Sequence, residues 1–135
     1  VAGKGDSLPK PASAGRNLAV ARRAELAVAD YLVAHGFRVL ARNVRLGALE
    51  LDLVACCRAL LVVVEVRTRG TGSYEGPFES IGPGKRRRIV RAVDRLWRWK
   101  LAANPAFERV RIDAAAVTFD RGETRVEYVP GAISG

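Results

Sequence analysis

ELDLVACCRALLVVVEVR, residues 50–67, decides how this chain is read. Two apolar runs each enclose a carboxylate: Asp52 lies inside Leu49–Val54 and Glu65 inside Leu60–Val66. An ionised carboxylate left without a partner in an apolar strand costs several kcal/mol, so such residues are paired, protonated or bound to a cation. The β-branched composition predicts strands over 44–54 and 60–68, joined by a short link from Ala55 to Ala59. Side chains alternate along a strand, so Glu65 and Arg67 share one face, as do Glu50 and Asp52 on the preceding strand. An acid on one strand, and an acid and a base two residues apart on the next, is the minimal equipment for metal-assisted attack on a phosphodiester.

Upstream, residues 1–14 mix Gly, Pro, Lys, Ser and Ala without periodicity and are expected to form a flexible tail, leaving 15–135 as a single domain. From Arg16 to about Ala34, Leu18, Ala21, Val28 and Leu32 fall on one helical face, and His35-Gly36 supplies the stop. Glu25 lies within that apolar stripe, so a third acid points inward. His35 is the chain's single histidine and stands at a helix end, which leaves Ser/His/Asp catalysis without support. Phe37–Leu40 reads as a short strand with a bend at Ala41–Asn43.

Downstream, the glycine- and proline-rich Gly70–Gly84 reads as a loop, and a long loop at the polar end of a strand is often functional. Lys85 to about Ala103 forms a second helix. Its apolar arc holds Ile89, Val90, Val93, Leu96, Trp97 and Leu101, while Arg87, Arg88, Arg91, Arg95 and Arg98 share a separate cationic arc suited to phosphate contact. Val110–Phe119 and Glu123–Val129 read as a hairpin turning at Asp120-Arg121-Gly122.

With 135 residues the chain holds one core, and 23 Lys and Arg against 14 Asp and Glu give a net charge of +9. That balance favours a polyanionic partner, with nucleic acid the first candidate. No apolar stretch approaches the roughly 20 residues that span a bilayer, and a cytoplasmic location is expected. Cys56 and Cys57 are adjacent and alone, which excludes a disulfide framework or a zinc site built from cysteines.

Taken singly, each inward acid has a plain explanation: Glu25 pairs with Arg22, Asp52 takes backbone amides at a strand end, Glu65 pairs with Arg67. Together, on a helix that must pack against the sheet and on two adjacent strands, they are expected to converge, with Arg67 beside them.

The ordered blocks Arg22-Arg23-Ala24-Glu25-Leu26-Ala27, Tyr31-Leu32, Gly36 to Arg45, Glu50-Leu51-Asp52-Leu53-Val54, Val64-Glu65-Val66-Arg67-Thr68-Arg69 and Lys85-Arg86-Arg87-Arg88 resemble the bacterial YraN-like family. The likeness runs from about residue 16 to 119. It implies an α/β, restriction-endonuclease-like fold, with a mixed central sheet flanked by helices, similar to archaeal Holliday-junction resolvases. It further implies a site in which Asp52 and Glu65 hold Mg²⁺ or Mn²⁺ and Glu25 is an additional helical acid. Because phosphate contacts carry no base identity, DNA recognised by shape or branching is the expected partner, and the likeness to junction-cleaving enzymes implies a homodimer. Three positions depart from the pattern: Ala24 and Leu49 stand where the family has Gly, and Arg67 stands where it has Lys. Arginine stays protonated and supplies only the electrostatic part of a lysine's work at the phosphorane. On this reading the catalytic group is Glu25, Asp52, Glu65 and Arg67, with Lys85, Arg87, Arg88, Arg91, Arg95 and Arg98 holding the nucleic acid. The alternatives are a nucleic-acid-binding module that keeps the fold without the chemistry, and an interaction protein whose basic helix binds an acidic partner.

Overall fold

The computed structural model describes residues 12–69 and 81–134. Most of the expected tail and of the Gly70–Gly84 loop therefore falls outside the described residues. Within them, the order is α1 (Ala12–Ala34), β1 (Arg38–Leu46), β2 (Leu49–Cys57), β3 (Leu60–Arg69), α2 (Pro83–Ala103), β4 (Arg109–Asp120) and β5 (Glu123–Ile133). The strands form one sheet in the order β1-β2-β3-β4-β5, antiparallel throughout except for the parallel pair β3 and β4, which α2 connects. This is the expected mixed α/β architecture. No helix among the described residues is long and apolar enough to cross a membrane.

Each helix covers one sheet face. Ala24, Val28, Ala29 and Leu32 of α1 pack on Leu53, Ala55, Val62, Val64, Ala115 and Val117, while Ile89, Ala92, Val93 and Leu96 of α2 pack on Val54, Cys56, Leu61, Val63 and Ile112. Sandwiched between them, β3 is buried on both faces from Leu60 to Glu65, which explains its unbroken apolar run. α1 ends as the sequence indicates. Gly36 takes φ 87°, its N–H donates to the Val33 carbonyl at 3.1 Å, and the Phe37 N–H donates to that of Leu32 at 2.9 Å, a Schellman closure.

Four boundaries differ from expectation. Residues 12–14, assigned above to the tail, already belong to α1; alanine is the strongest helix former, so Ala12 and Ala14 suit the first turn. The strand expected over 44–54 is broken by a two-residue turn in which Gly47 takes φ 65°. The bend at Ala41–Asn43 is a distortion within one strand, a register shift between Val39 and Ala41 followed by Asn43 at φ 52°. The cysteines lie in β2 and not in a link: Cys56 is buried and acts as a small hydrophobe, both thiols are free, and the turn is Arg58-Ala59, with Arg58 at φ 55°. The last hairpin turns through Arg121 and Gly122, both at positive φ, as a tight two-residue connection requires.

Candidate active site

β2 and β3 pair from Cys57↔Leu60 to Leu53↔Val64, and one residue further the register would set Asp52 opposite Glu65. There the strands part. Leu49–Leu51 continue to pair with β1, and Glu65–Arg69 with β4, so the sheet forks between the two carboxylates. The Val66 N–H, released from the ladder, donates to Asp52 Oδ2 at 2.8 Å. A carboxylate thus does at the fork what a backbone carbonyl does elsewhere in the sheet. On the other flank of β3, Ala114 and Ala116 stand beside Glu65 and Arg67, and these small residues leave room for the two long side chains.

The fork opens into a cavity of about 330 Å³ reached from both helices. α1 contributes Leu18, Ala21, Arg22, Ala24 and Glu25; the strands contribute Glu50, Asp52, Glu65, Arg67 and Thr68; α2 contributes Lys85 from its first turn. Leu18, expected on the buried face of α1, is half-exposed and lines this cavity. Glu25 and Glu65 are buried, at 6% and 7% exposure, and Asp52 is partly so.

Fixed cations partly compensate these acids. Arg22 Nη1 lies 2.9 Å from Glu25 Oε1 and 3.8 Å from Glu50 Oε1, and also donates to Asn43 Oδ1. The hydrogen bond to Glu25, and then that residue's charge, push the Arg22 guanidinium above its ordinary value. Lys85 Nζ lies 3.2 Å from Glu65 Oε1. Arg67 lines the cavity, but its Nε is buried without a hydrogen-bond partner. Asp52 is left as the strained member of the group. Burial first, then the neighbouring charge of Glu65, push its carboxyl up to about 7, against the opposing pull of the Val66 N–H and Lys85. Two carboxyl groups this close resist simultaneous ionisation, and a cation between them would relieve the conflict.

The cavity gathers Glu25, Asp52, Glu65 and Arg67 along one lining. It also gathers Lys85, expected on the binding helix and found at the acids. The explanations open to single residues are partly present too: Glu25 does pair with Arg22 and Asp52 does take a backbone amide, while the partner of Glu65 is Lys85 and not Arg67. Among the described residues, no three His, Cys, Asp or Glu side chains are grouped closely enough to ligate one ion by themselves. Two hard carboxylate donors nevertheless suit Mg²⁺, which takes one or two carboxylates and fills its remaining positions with water and substrate phosphate. Arg87, Arg88, Arg91, Arg95 and Arg98 do not line the cavity. They are exposed along α2, where Arg98 is paired with Asp94 and Arg95 reaches over the β1–β2 turn at Gly47.

A further buried carboxylate lies outside the residues singled out from the sequence. Asp113, with no exposure, sits where the β4–β5 register shifts between Ile112 and Ala114. It accepts from Arg111 Nε at 2.8 Å, Arg111 Nη2 at 3.0 Å, the Gly131 N–H at 2.8 Å and the Tyr128 hydroxyl. The bond to Asp113 raises Arg111, and burial followed by the same carboxylate raises Tyr128 far above the ordinary phenol range. The signal was present in the sequence, since Asp113 interrupts Val110–Phe119 much as Asp52 interrupts its own run.

Comparison with known proteins places these residues in a family. The profile of the uncharacterised protein family UPF0102 matches residues 24–117, a span that contains Glu25, Asp52, Glu65, Arg67 and Lys85. The UPF0102 protein sce2912 of Sorangium cellulosum (strain So ce56) is 46% identical over 123 residues, covering 90% of this chain and 85% of the relative. A UPF0102 protein of Anaeromyxobacter dehalogenans (strain 2CP-C) is 43% identical over 117 residues, covering 87% and 85%. Among solved structures, Pyrococcus furiosus SfsA in complex with Ca²⁺ aligns at a TM-score of 0.37 and 15% identity, over 90% of this chain and 65% of that one.

Proposed function

The chain belongs to the uncharacterised protein family UPF0102, and from that premise we propose that it binds nucleic acid and hydrolyses phosphodiester bonds as a divalent-metal-dependent endonuclease acting on structured or branched DNA. The observation that carries this reading is the fork between β2 and β3, where Asp52 and Glu65 face one cavity and burial, followed by the charge of Glu65, pushes the Asp52 carboxyl up to about 7. A cavity with four acids and three bases, in a protein of net charge +9, suits a cation inside and a polyanion outside.

Asp52 and Glu65 would hold Mg²⁺ or Mn²⁺, which when bound neutralises phosphate charge and makes water more acidic. Glu25, fixed by Arg22, accepts a hydrogen bond from the attacking water and so orients it. Arg67 and Lys85 place positive charge at the phosphate, and the exposed arginines of α2 hold the backbone beyond the cavity. Such contacts carry no base identity, so shape and not sequence would be recognised. Cutting both strands of a symmetric branch would call for a homodimer.

A panel of linear, single-stranded, flapped and four-way DNA, incubated with the protein in Mg²⁺ or Mn²⁺ and with a chelator control, tests the proposal. Cleavage that needs the metal and disappears in Glu65→Ala supports it. One observation favours a second reading, a binding module without cleavage: Glu25 and Glu65 already have protein partners. Metal-independent DNA binding with no product from any substrate would select that reading.

A further inference from the structure

We propose that Lys85 is the cation that contacts the scissile phosphate, a task the sequence alone gives to Arg67. The inference rests on the nuclease reading above.

Two cations reach the acid cavity from the α2 side of the sheet and from β3, and they are held differently. Arg67 rises from β3 and lines the cavity, with its Nε buried and without a hydrogen-bond partner. Lys85 comes from the first turn of α2 on a flexible stem, with its side chain about one-third exposed and its ammonium 3.2 Å from Glu65. An ammonium has three donors that rotate together. The contact with Glu65 occupies one, and the others remain for a non-bridging phosphate oxygen brought to the same carboxylate.

Position along α2 supports the same assignment. At 1.5 Å per residue, Arg88 lies about 4.5 Å and Arg95 about 15 Å further along the helix axis than Lys85. Lys85 is thus where the exposed cationic track meets the carboxylates. A strand held by the arginines would present one phosphate to Lys85 as it enters the cavity.

In the step itself, the water oxygen forms a bond to phosphorus and the bond from phosphorus to one sugar oxygen breaks. One water proton ends on the departing alcohol and the other on the phosphomonoester or in solvent. Lys85 stays an ammonium throughout and stabilises the charge that builds on the non-bridging oxygen.

The test compares Lys85→Met, Lys85→Arg and Arg67→Ala in the full chain, using four-way DNA and Mn²⁺ as probes; methionine keeps the aliphatic stem and with it the packing. Lys85→Met should slow single-turnover cleavage by ~100-fold, the scale of losing one transition-state donor, with DNA binding in chelator changed far less. Lys85→Arg should recover only a minor part, and Arg67→Ala should cost less than Lys85→Met. Mn²⁺ should bind more tightly to Lys85→Met than to the wild type, because Glu65 loses a competing cation. That readout does not depend on activity. Unchanged or weaker Mn²⁺ binding, or a larger loss in Arg67→Ala, overturns the inference. If the wild type cuts and Lys85→Met cuts equally well, this inference alone falls; if the wild type cuts nothing, the nuclease reading falls with it.

Discussion

Asp113 and Asp52 are both carboxylates set in apolar strands of the same sheet, and they are treated in opposite ways. Asp113 is sealed from water and accepts bonds from a guanidinium, a phenol and a backbone amide. Asp52 takes the Val66 amide, faces another carboxylate across a fork, and opens to a cavity. The first arrangement satisfies its acid and closes a register shift in the β4–β5 hairpin. The second leaves an electrostatic conflict in place, which a bound cation would relieve. Burial alone does not separate the two acids; the difference lies in how completely each is compensated.

The sharpest way to break the contrast is at Asp113. Asp113→Ala should cost about 3 kcal/mol or more in urea unfolding, because Arg111, Tyr128 and Gly131 lose a shared buried acceptor. Mn²⁺ binding by the folded fraction should not change. A cost below about 1 kcal/mol would mean the network is not structural.

Asp52 should behave in the reverse sense. Its folded value of about 7 lies above the ordinary 3.8, so between those values the native state holds more protons than the unfolded chain. Stability should accordingly fall as pH rises from about 4 to 7. Asp52→Asn removes this slope. The variant should match the wild type near pH 4 and exceed it by about 1–2 kcal/mol at pH 8, the full shift being reduced by solvent at a partly exposed group. Without metal, an Asp52→Asn protein less stable than wild type at pH 8 would show that the carboxylate is satisfied after all.

Outside the cavity, reversing Arg87 and Arg91 to Glu together should weaken DNA binding equally across sequences. The slope of log affinity against log salt should flatten by roughly 2, about one counterion for each lost contact. An unchanged slope would return these arginines to a merely solvated face. The smallest effect is expected at Arg67→Lys, which should raise cleavage by only a few-fold, since Lys85 already stands at Glu65. A gain above about thirtyfold would restore the central role to position 67.

Much of this was legible in the chain because a carboxylate is conspicuous inside an apolar run. Asp52 and Glu65 announced themselves in that way, and Glu25 by its phase on α1. What sequence could not supply was tertiary docking. Lys85 reaches Glu65 because α2 packs its Ile89, Val93 and Leu96 face on the sheet and so brings its first turn to the fork, a consequence invisible in the run Lys85-Arg86-Arg87-Arg88. Small residues send mixed signals at turns: Gly47 interrupts what the β-branched pattern presents as one strand, and Cys56, small enough for a link, packs in the core. Asp113 is balanced by Arg111, two residues before it on the same strand, so its run carries no net excess of acid to mark it.

If Asp52 and Glu65 hold a divalent cation at the fork, a Mn²⁺ titration at pH 8 will register it. The wild type should show one saturable site that is lost in Asp52→Ala and in Glu65→Ala and retained in folded Asp113→Asn. Saturable Mn²⁺ binding that survives both fork substitutions, or no saturable binding by the wild type at millimolar metal, would contradict it.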